Sequence, residues 1–137
     1  MTGVPAFGGE PATHQACALP LPETVGGAAE GRVFTAAVLA GLPDPVRQDA
    51  VLLVSELISN AYRYADGPRR LRLVTSSRLI RAEVSDGSPW PPVPSQPAAD
   101  QVGGFGVFLV DRLAARWGWR RQGAGKAVWF ELVLPAS

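Results

Sequence analysis

Sulfur and imidazole are almost absent from this chain of 137 residues: Cys17 is its only cysteine, His14 its only histidine and Met1 its only methionine. One thiol cannot close an intramolecular disulfide or build a multi-thiolate zinc centre, and one imidazole adds too little for a transition-metal ligand set. A reducing compartment fits, so the cytoplasm is the expected location. Charge of one sign is lacking too. The 13 Lys+Arg against 12 Asp+Glu leave a formal charge of +1, too small a field to draw the chain to nucleic acid or an anionic membrane. The longest clear apolar stretches, Val51 to Val54 and Phe105 to Val110, fall far short of the ~18 residues that a membrane span needs. No basic residue precedes Arg32, so the charged start of a secretory signal is missing. The expectation is a soluble protein with neither nucleic acid nor membrane as a partner.

What is present suits one compact unit. At this length, 47% hydrophobic residues suffice for a single core without covalent staples. Residues 1–15 are rich in Gly and Pro and poor in aliphatics, which predicts a flexible tail before a single domain over 16–137. Cys17 to Leu21 reads as a short strand. From Pro22-Glu23-Thr24 a helical spacing of Val25, Ala29, Val33, Phe34, Ala37, Val38 and Leu42 predicts a first helix ending near Gly41.

Pro43-Asp44-Pro45 then predicts a turn in which Asp44 caps and Pro45 takes the first helical position. The second helix, from Pro45 to about Ala65, gathers Ala50, Val54, Leu57, Ile58, Ala61 and Ala65 on one side and Asp49, Glu56, Asn60 and Arg63 on the other. Alternation in Leu71-Arg72-Leu73 and in Ile80 to Val84, around Ser76-Ser77, predicts paired strands. Five prolines between Asp86 and Gln101 rule out helix and ladder there. A third helix follows Gly103-Gly104-Phe105-Gly106 and ends before Gly118, and Ala127 to Leu134 reads as a well-covered final strand.

Three features carry chemistry. Glu56 and Asn60, four apart on a helix, project from one face; a carboxylate there can accept a proton, and an amide oxygen is a hard ligand suited to Mg²⁺. Val84-Ser85-Asp86-Gly87-Ser88 puts a carboxylate at a strand end, where Asp86 can accept a hydrogen bond from a purine amino group. Gly103-Gly104-Phe105-Gly106 brings bare backbone N–H groups and a helix N-terminus to an anion such as phosphate. Singly, these also describe a solvated helix face, a plain Asp-Gly turn and a hinge. The chain has no G-x-x-x-x-G-K-[ST] phosphate loop.

In this order the three blocks resemble the GHKL ATPase superfamily of histidine kinases and gyrase-type ATPases, and within it the short anti-sigma-factor serine kinases and related stand-alone ATP-binding regulators. The resemblance spans roughly residues 17–134. It rests on Leu52 to Ala61, Val84 to Pro89, Gly103 to Val107 and Gly125 to Leu132.

It implies an α/β (α+β) two-layer sandwich of the Bergerat type, with a mixed, mostly antiparallel sheet covered on one face by about three helices and a mobile ATP lid over residues 86–104. It further implies that Glu56 is the general base and Asn60 the Mg²⁺ ligand. Asp86 and Ser88 would meet the adenine end; Gly87, Gly103, Gly104, Gly106 and Val107 would shape the pocket and lid; and Ala127 would lie near the base. The implied cofactors are ATP and Mg²⁺. The implied partners are a STAS-like anti-sigma-factor antagonist, phosphorylated on a serine, a sigma factor sequestered by the ATP-bound form, and a second copy in a homodimer. A nucleotide-gated binding module that transfers no phosphate is the alternative.

Two departures stand out: Phe105 sits where related sequences often carry a basic residue, and Ala127 where many carry a threonine. Arg112 and Lys126 are candidates to supply the missing charge. The arginines at 69, 70, 72, 78 and 81 read as a half-wet sheet surface. Among the tryptophans only Trp90, in the proline-rich loop, is singled out as touching nucleotide or partner, and Tyr62 and Tyr64 read as packing residues.

Overall fold

The computed structural model describes residues 15–23, 26–92 and 106–135. The expected tail therefore lies outside the described residues save for Gln15, as does most of the expected lid. The elements run β1 (Gln15–Pro20), α1 (Gly27–Val38), α2 (Asp44–Tyr64), β2 (Pro68–Thr75), β3 (Leu79–Asp86), α3 (Gly106–Leu113), β4 (Arg116–Gln122) and β5 (Gly125–Val133).

The long helix α2 is the spine. Its apolar stripe, Ala50, Leu53, Val54, Leu57, Ile58 and Ala61, is buried along its whole length, each larger side chain contributing roughly 1.5–3 kcal/mol of burial. The helix begins one residue earlier than the turn chemistry suggests. Pro43 occupies the capping position, Asp44 is the first helical residue, and no side chain caps the end. Asp44 instead pairs with Arg47 one turn on, a favourable place for an acid near the positive end of the helix dipole. The helix stops where Asp66 and Gly67 turn to positive φ, 65° and 90°.

Helix α1 departs from its expected face. Val33 is 71% exposed, whereas Gly27, Gly31 and Thr35 are buried, one turn apart on a single stripe. A Cβ on Gly31 would come within 2.4 Å of Ile58 Cδ1, so α1 and α2 touch through the space a side chain would fill. Phe34, Val38 and Leu42 pack at the flank of the core. Apolar counting misplaces a face whose contact surface is glycine.

The sheet has the order β1-β2-β3-β5-β4, and among the described residues every pairing is antiparallel rather than mixed. Ser76 builds the β2–β3 hairpin by accepting the N–H groups of Arg78 and Leu79, both at 3.1 Å. Strand β4 lies partly where the third helix was expected to continue. Its period-two placement of Trp117 and Trp119 around Gly118 pairs with β5, and a Cβ on Gly118 would lie 2.8 Å from the Trp129 ring.

One sheet face presents Leu71, Leu73, Ile80, Ala82, Val84, Val128, Phe130 and Leu132 to the helices, all in the buried core. The opposite face holds buried charge. Arg81 donates to Glu83 at 2.9 Å and to Glu131 at 3.0 Å. Arg116 grips Glu131 at 2.7 and 2.9 Å, and Arg120 takes Glu83 at 3.0 and 3.1 Å. The Arg81 guanidinium also sits 4.0 Å from the Trp129 ring centroid. Burial works to raise the Glu83 pKa, but the hydrogen bonds from Arg120 and Arg81 overcome it and hold the carboxyl below its ordinary range.

A depressed carboxylate pKa stabilises the fold above the unfolded value and loses that stabilisation as pH falls through the folded one. Urea titrations at about pH 7 and about pH 3 should therefore show a smaller acid-side loss in Glu83→Gln than in wild type. An equal loss in both would contradict the assignment. Among the described residues, Thr35 Oγ1 is the one buried side-chain polar atom with no hydrogen-bond partner. Thr35→Val should raise stability by about 1 kcal/mol, read from the urea midpoint.

Candidate functional site

The core stripe of α2 ends against the last residues of β3 and the first of β5, where the layers part around a cavity of about 430 Å³, within the usual range for a small-molecule site. Leu57, Ala61, Val84 and Val128 give it apolar walls, and Asn60, Asp86 and Lys126 supply polar groups. Tyr64, Ala65, Trp90, Pro91 and Pro92 complete the lining, with Tyr64 60% and Trp90 75% exposed.

Asp86 is fixed by its surroundings. The Ser88 N–H donates to its Oδ1 at 2.8 Å, and the Ser88 hydroxyl in turn accepts the Trp90 N–H at 3.2 Å, so the Asp-Gly-Ser turn aims the carboxyl and places the aromatic loop. Directly across the β3–β5 ladder stands Lys126. Its Nζ donates to the same Oδ1 at 3.1 Å, with the two side chains only 4% and 2% exposed. Burial pushes the Asp86 pKa above its ordinary value, against the pull of the Ser88 N–H, Lys126 and Arg69. Gly125 is required here: a Cβ would fall 1.9 Å from the Asp86 carbonyl oxygen.

The structure thus brings Asn60 and Asp86 to one cavity. Glu56 lies one turn before Asn60, half-buried and outside the cavity lining. Burial raises its pKa and the nearby Arg63 charge works against that rise. Ser88 is buried in the turn beneath the cavity. Gly87 faces a shallow second depression with Arg69, Arg70 and Gly125. Gly103 and Gly104 lie outside the described residues, while Gly106 and Val107 begin α3.

Ala127 requires a correction. It pairs with Ser85 and Arg120 on the helix-free side of the sheet, because neighbouring residues of a strand point to opposite faces; Lys126 and Val128 line the cavity instead. The parity was available in the sequence, since a strand that buries Val128, Phe130 and Leu132 turns Lys126 the same way. The Lys126 amino group, expected as a candidate for the missing charge, is held on Asp86. Tyr62 is a packing residue as expected, donating to the Pro22 carbonyl at 2.6 Å and accepting the Gly27 N–H at 3.2 Å. Tyr64 instead lines the cavity.

Removing one member of a buried ion pair leaves the other uncompensated, typically at 3–5 kcal/mol. Asp86→Ala should lose stability by about that amount, and Asp86→Ala combined with Lys126→Met should recover most of it. Denaturant unfolding of the three proteins checks both expectations.

Residues 21–132 match the family described as the histidine kinase-like ATPase domain. No curated protein sequence gives a significant match. Among solved structures, the chain is similar to the RsbU and RsbW domains of Rv1364c from Mycobacterium tuberculosis, with a TM-score of 0.67 at 18% identity. That likeness covers 88% of this chain and 32% of the other, so this chain spans about a third of its neighbour's length and shares its fold over that part. With the family match covering most of the sequence, and an antiparallel sheet under one layer of helices closing on a cavity lined by Asn60 and Asp86, this chain belongs to the histidine kinase-like ATPase family.

Proposed function

We propose that the chain is an ATP-binding regulator of the anti-sigma-factor serine-kinase type, which phosphorylates a serine of a small STAS-like antagonist and otherwise sequesters a sigma factor. The observation that carries the reading is the convergence of Asn60 from α2 and Asp86 from β3 on one largely apolar cavity. The apolar walls suit the faces of a purine, and Asp86 suits its exocyclic amino group. Asn60 offers one oxygen on the same helix as Glu56. The described residues contain no cluster of three His, Cys, Asp or Glu that could hold a metal by themselves. A single amide fits Mg²⁺ that retains waters and phosphate oxygens, so the ion would arrive with the triphosphate.

Bound ATP supplies the phosphoryl group. Glu56 takes the proton of the serine hydroxyl as that oxygen bonds to the γ-phosphorus and the bond to the bridging oxygen breaks, releasing ADP. Its partly buried position favours this role, because a raised pKa brings a carboxylate closer to the working pH of a general base. Asn60 would hold the Mg²⁺ that accompanies the phosphates, and the apolar cavity walls would shield the purine ring from water.

A second reading has its own support. Lys126 is engaged by Asp86 at 3.1 Å, and Phe105 stands where a basic residue is common, so the phosphates gain no positive charge from either position. This favours a nucleotide-gated binding module in which ATP alters partner affinity without transfer.

Trp90 provides the first test. Saturable Mg-ATP binding should change tryptophan fluorescence in wild type and lose that signal in Trp90→Phe, with Asn60→Ala weakening binding at least about tenfold. Unchanged binding in Asn60→Ala would remove the metal role. In a transfer assay with labelled γ-phosphate, Glu56→Gln should slow phosphorylation of the antagonist by ~10² to 10⁴. Transfer at the wild-type rate would overturn the base assignment, and ATP-dependent partner binding with no transfer by wild type would select the second reading.

A further inference from the structure

Neighbouring residues of a regular strand point to opposite faces, yet Arg69 and Arg70 of β2 both line the shallow depression beside Gly87. A bulge brings them together. Pro68 pairs with Asp86 and Arg70 with Ser85, which leaves Arg69 without a partner in that ladder, and an extra residue of this kind re-aims the side chains around it. The Arg69 carbonyl accepts the Leu21 N–H at 2.9 Å, which pins the bulge from the side of β1. Its guanidinium lies against bare backbone, since a Cβ on Gly87 would collide with it.

We propose that this depression is a second binding site, for a phosphate monoester, separate from the cavity between the helices and the sheet and independent of how that cavity is read. Ser85 in its lining points away from the helices, because Val84 and Asp86 point toward them. A volume of about 440 Å³ falls in the range of small-molecule sites, so an organic remainder fits beside the phosphate. Charge decides the class of ligand. On the same face Arg81, Arg116 and Arg120 are engaged by Glu83 and Glu131, whereas neither the Arg69 nor the Arg70 guanidinium has a hydrogen bond or ion pair among the described residues. Arg69 acts on Asp86 only at longer range. Asp86 is the one acid in the lining, and its side chain is 2% exposed and held by Lys126, so no carboxylate competes for the two guanidiniums. Two such groups balance a dianion, and their planar donors match phosphate oxygens in pairs. A phosphate monoester carries close to two charges at neutral pH. Gln122 adds an amide NH₂, its oxygen being taken by Arg120 at 3.4 Å, and the glycines at 87 and 125 let a ligand approach the backbone closely.

The test is an NMR titration of the full chain, followed at its amide groups, with inorganic phosphate, a capped phosphoserine tripeptide and succinate, at about 0.15 M ionic strength so that unspecific attraction is screened. Saturable shifts gathered on the Gly87 and Gly125 amides and on the Gln122 side chain are expected with phosphate or phosphopeptide. Tighter binding of the peptide assigns the phosphate to a phosphorylated side chain, and tighter binding of inorganic phosphate assigns it to the free ion; either result supports the site. Both arginines are exposed, so Arg69→Gln and Arg70→Gln leave the core intact, and each should weaken binding at least about tenfold through the loss of a charge-assisted pair. Arg70→Lys, which keeps the charge without the fork, should recover only part of that loss. Four results would each overturn the proposal: no saturation with either phosphate probe, succinate binding as tightly as they do, shifts that gather on Asn60 and Val128 instead, or an affinity unmoved in both glutamine variants.

Discussion

The contact between Asp86 and Lys126 organises the site end of this molecule. It joins the last residue of β3 to the second of β5 across the ladder, at the point where the helix layer and the sheet separate. A buried pair of opposite charges is costly to take out of water and is retained only when its geometry is good and its remaining capacity is used. Here the Ser88 N–H uses part of that capacity, and the same serine anchors Trp90. The pair therefore fixes the strand register, the turn after β3 and the start of the loop beside the cavity through one shared oxygen.

A second set of buried charges does different work on the other side of the sheet. Glu83 and Glu131 are each held by two arginines, and Arg81 joins them while lying over Trp129. No helix among the described residues covers this face, so long side chains laid flat give the sheet its second skin, their stems shielding apolar surface and their heads pairing at the rim. Both ionic groups are buried, but one encloses its charges among themselves and the other turns them toward a cavity. The first lies within the helix-free face of the sheet, and the second lies on the wall of the cavity.

Much of this was legible in the sequence. The stripe on α2 reads directly, because six side chains at helical spacing leave little choice of face. The Asp-Gly-Ser strand end and the hairpin at Ser76 also follow from local chemistry. Three features did not follow. The inward stripe of α1 is made of Gly27, Gly31 and Thr35, and a pattern of absent side chains gives no apolar signal. Strand β4 has its tryptophans separated by a glycine and flanked by arginines, so its period is visible only once Trp129 is known to need the room above Gly118. The position of Lys126 depends on strand parity, and a threonine-based expectation at Ala127 missed it by one residue and hence by one whole face. The paired site residues, by contrast, come together because α2 packs along the sheet, a consequence of the same apolar stripe that made the helix readable.

The outermost strands carry a further implication. β1 and β4 bound the sheet, and an unmatched backbone at such a margin is an invitation to fibrous association. β4 presents exposed Arg116, Arg120 and Arg121, whose hydration any stacking neighbour would have to strip away, and β1 ends in Pro20, which has no N–H to offer. Among the described residues no further strand pairs with either margin, and these side chains oppose polymerisation through them.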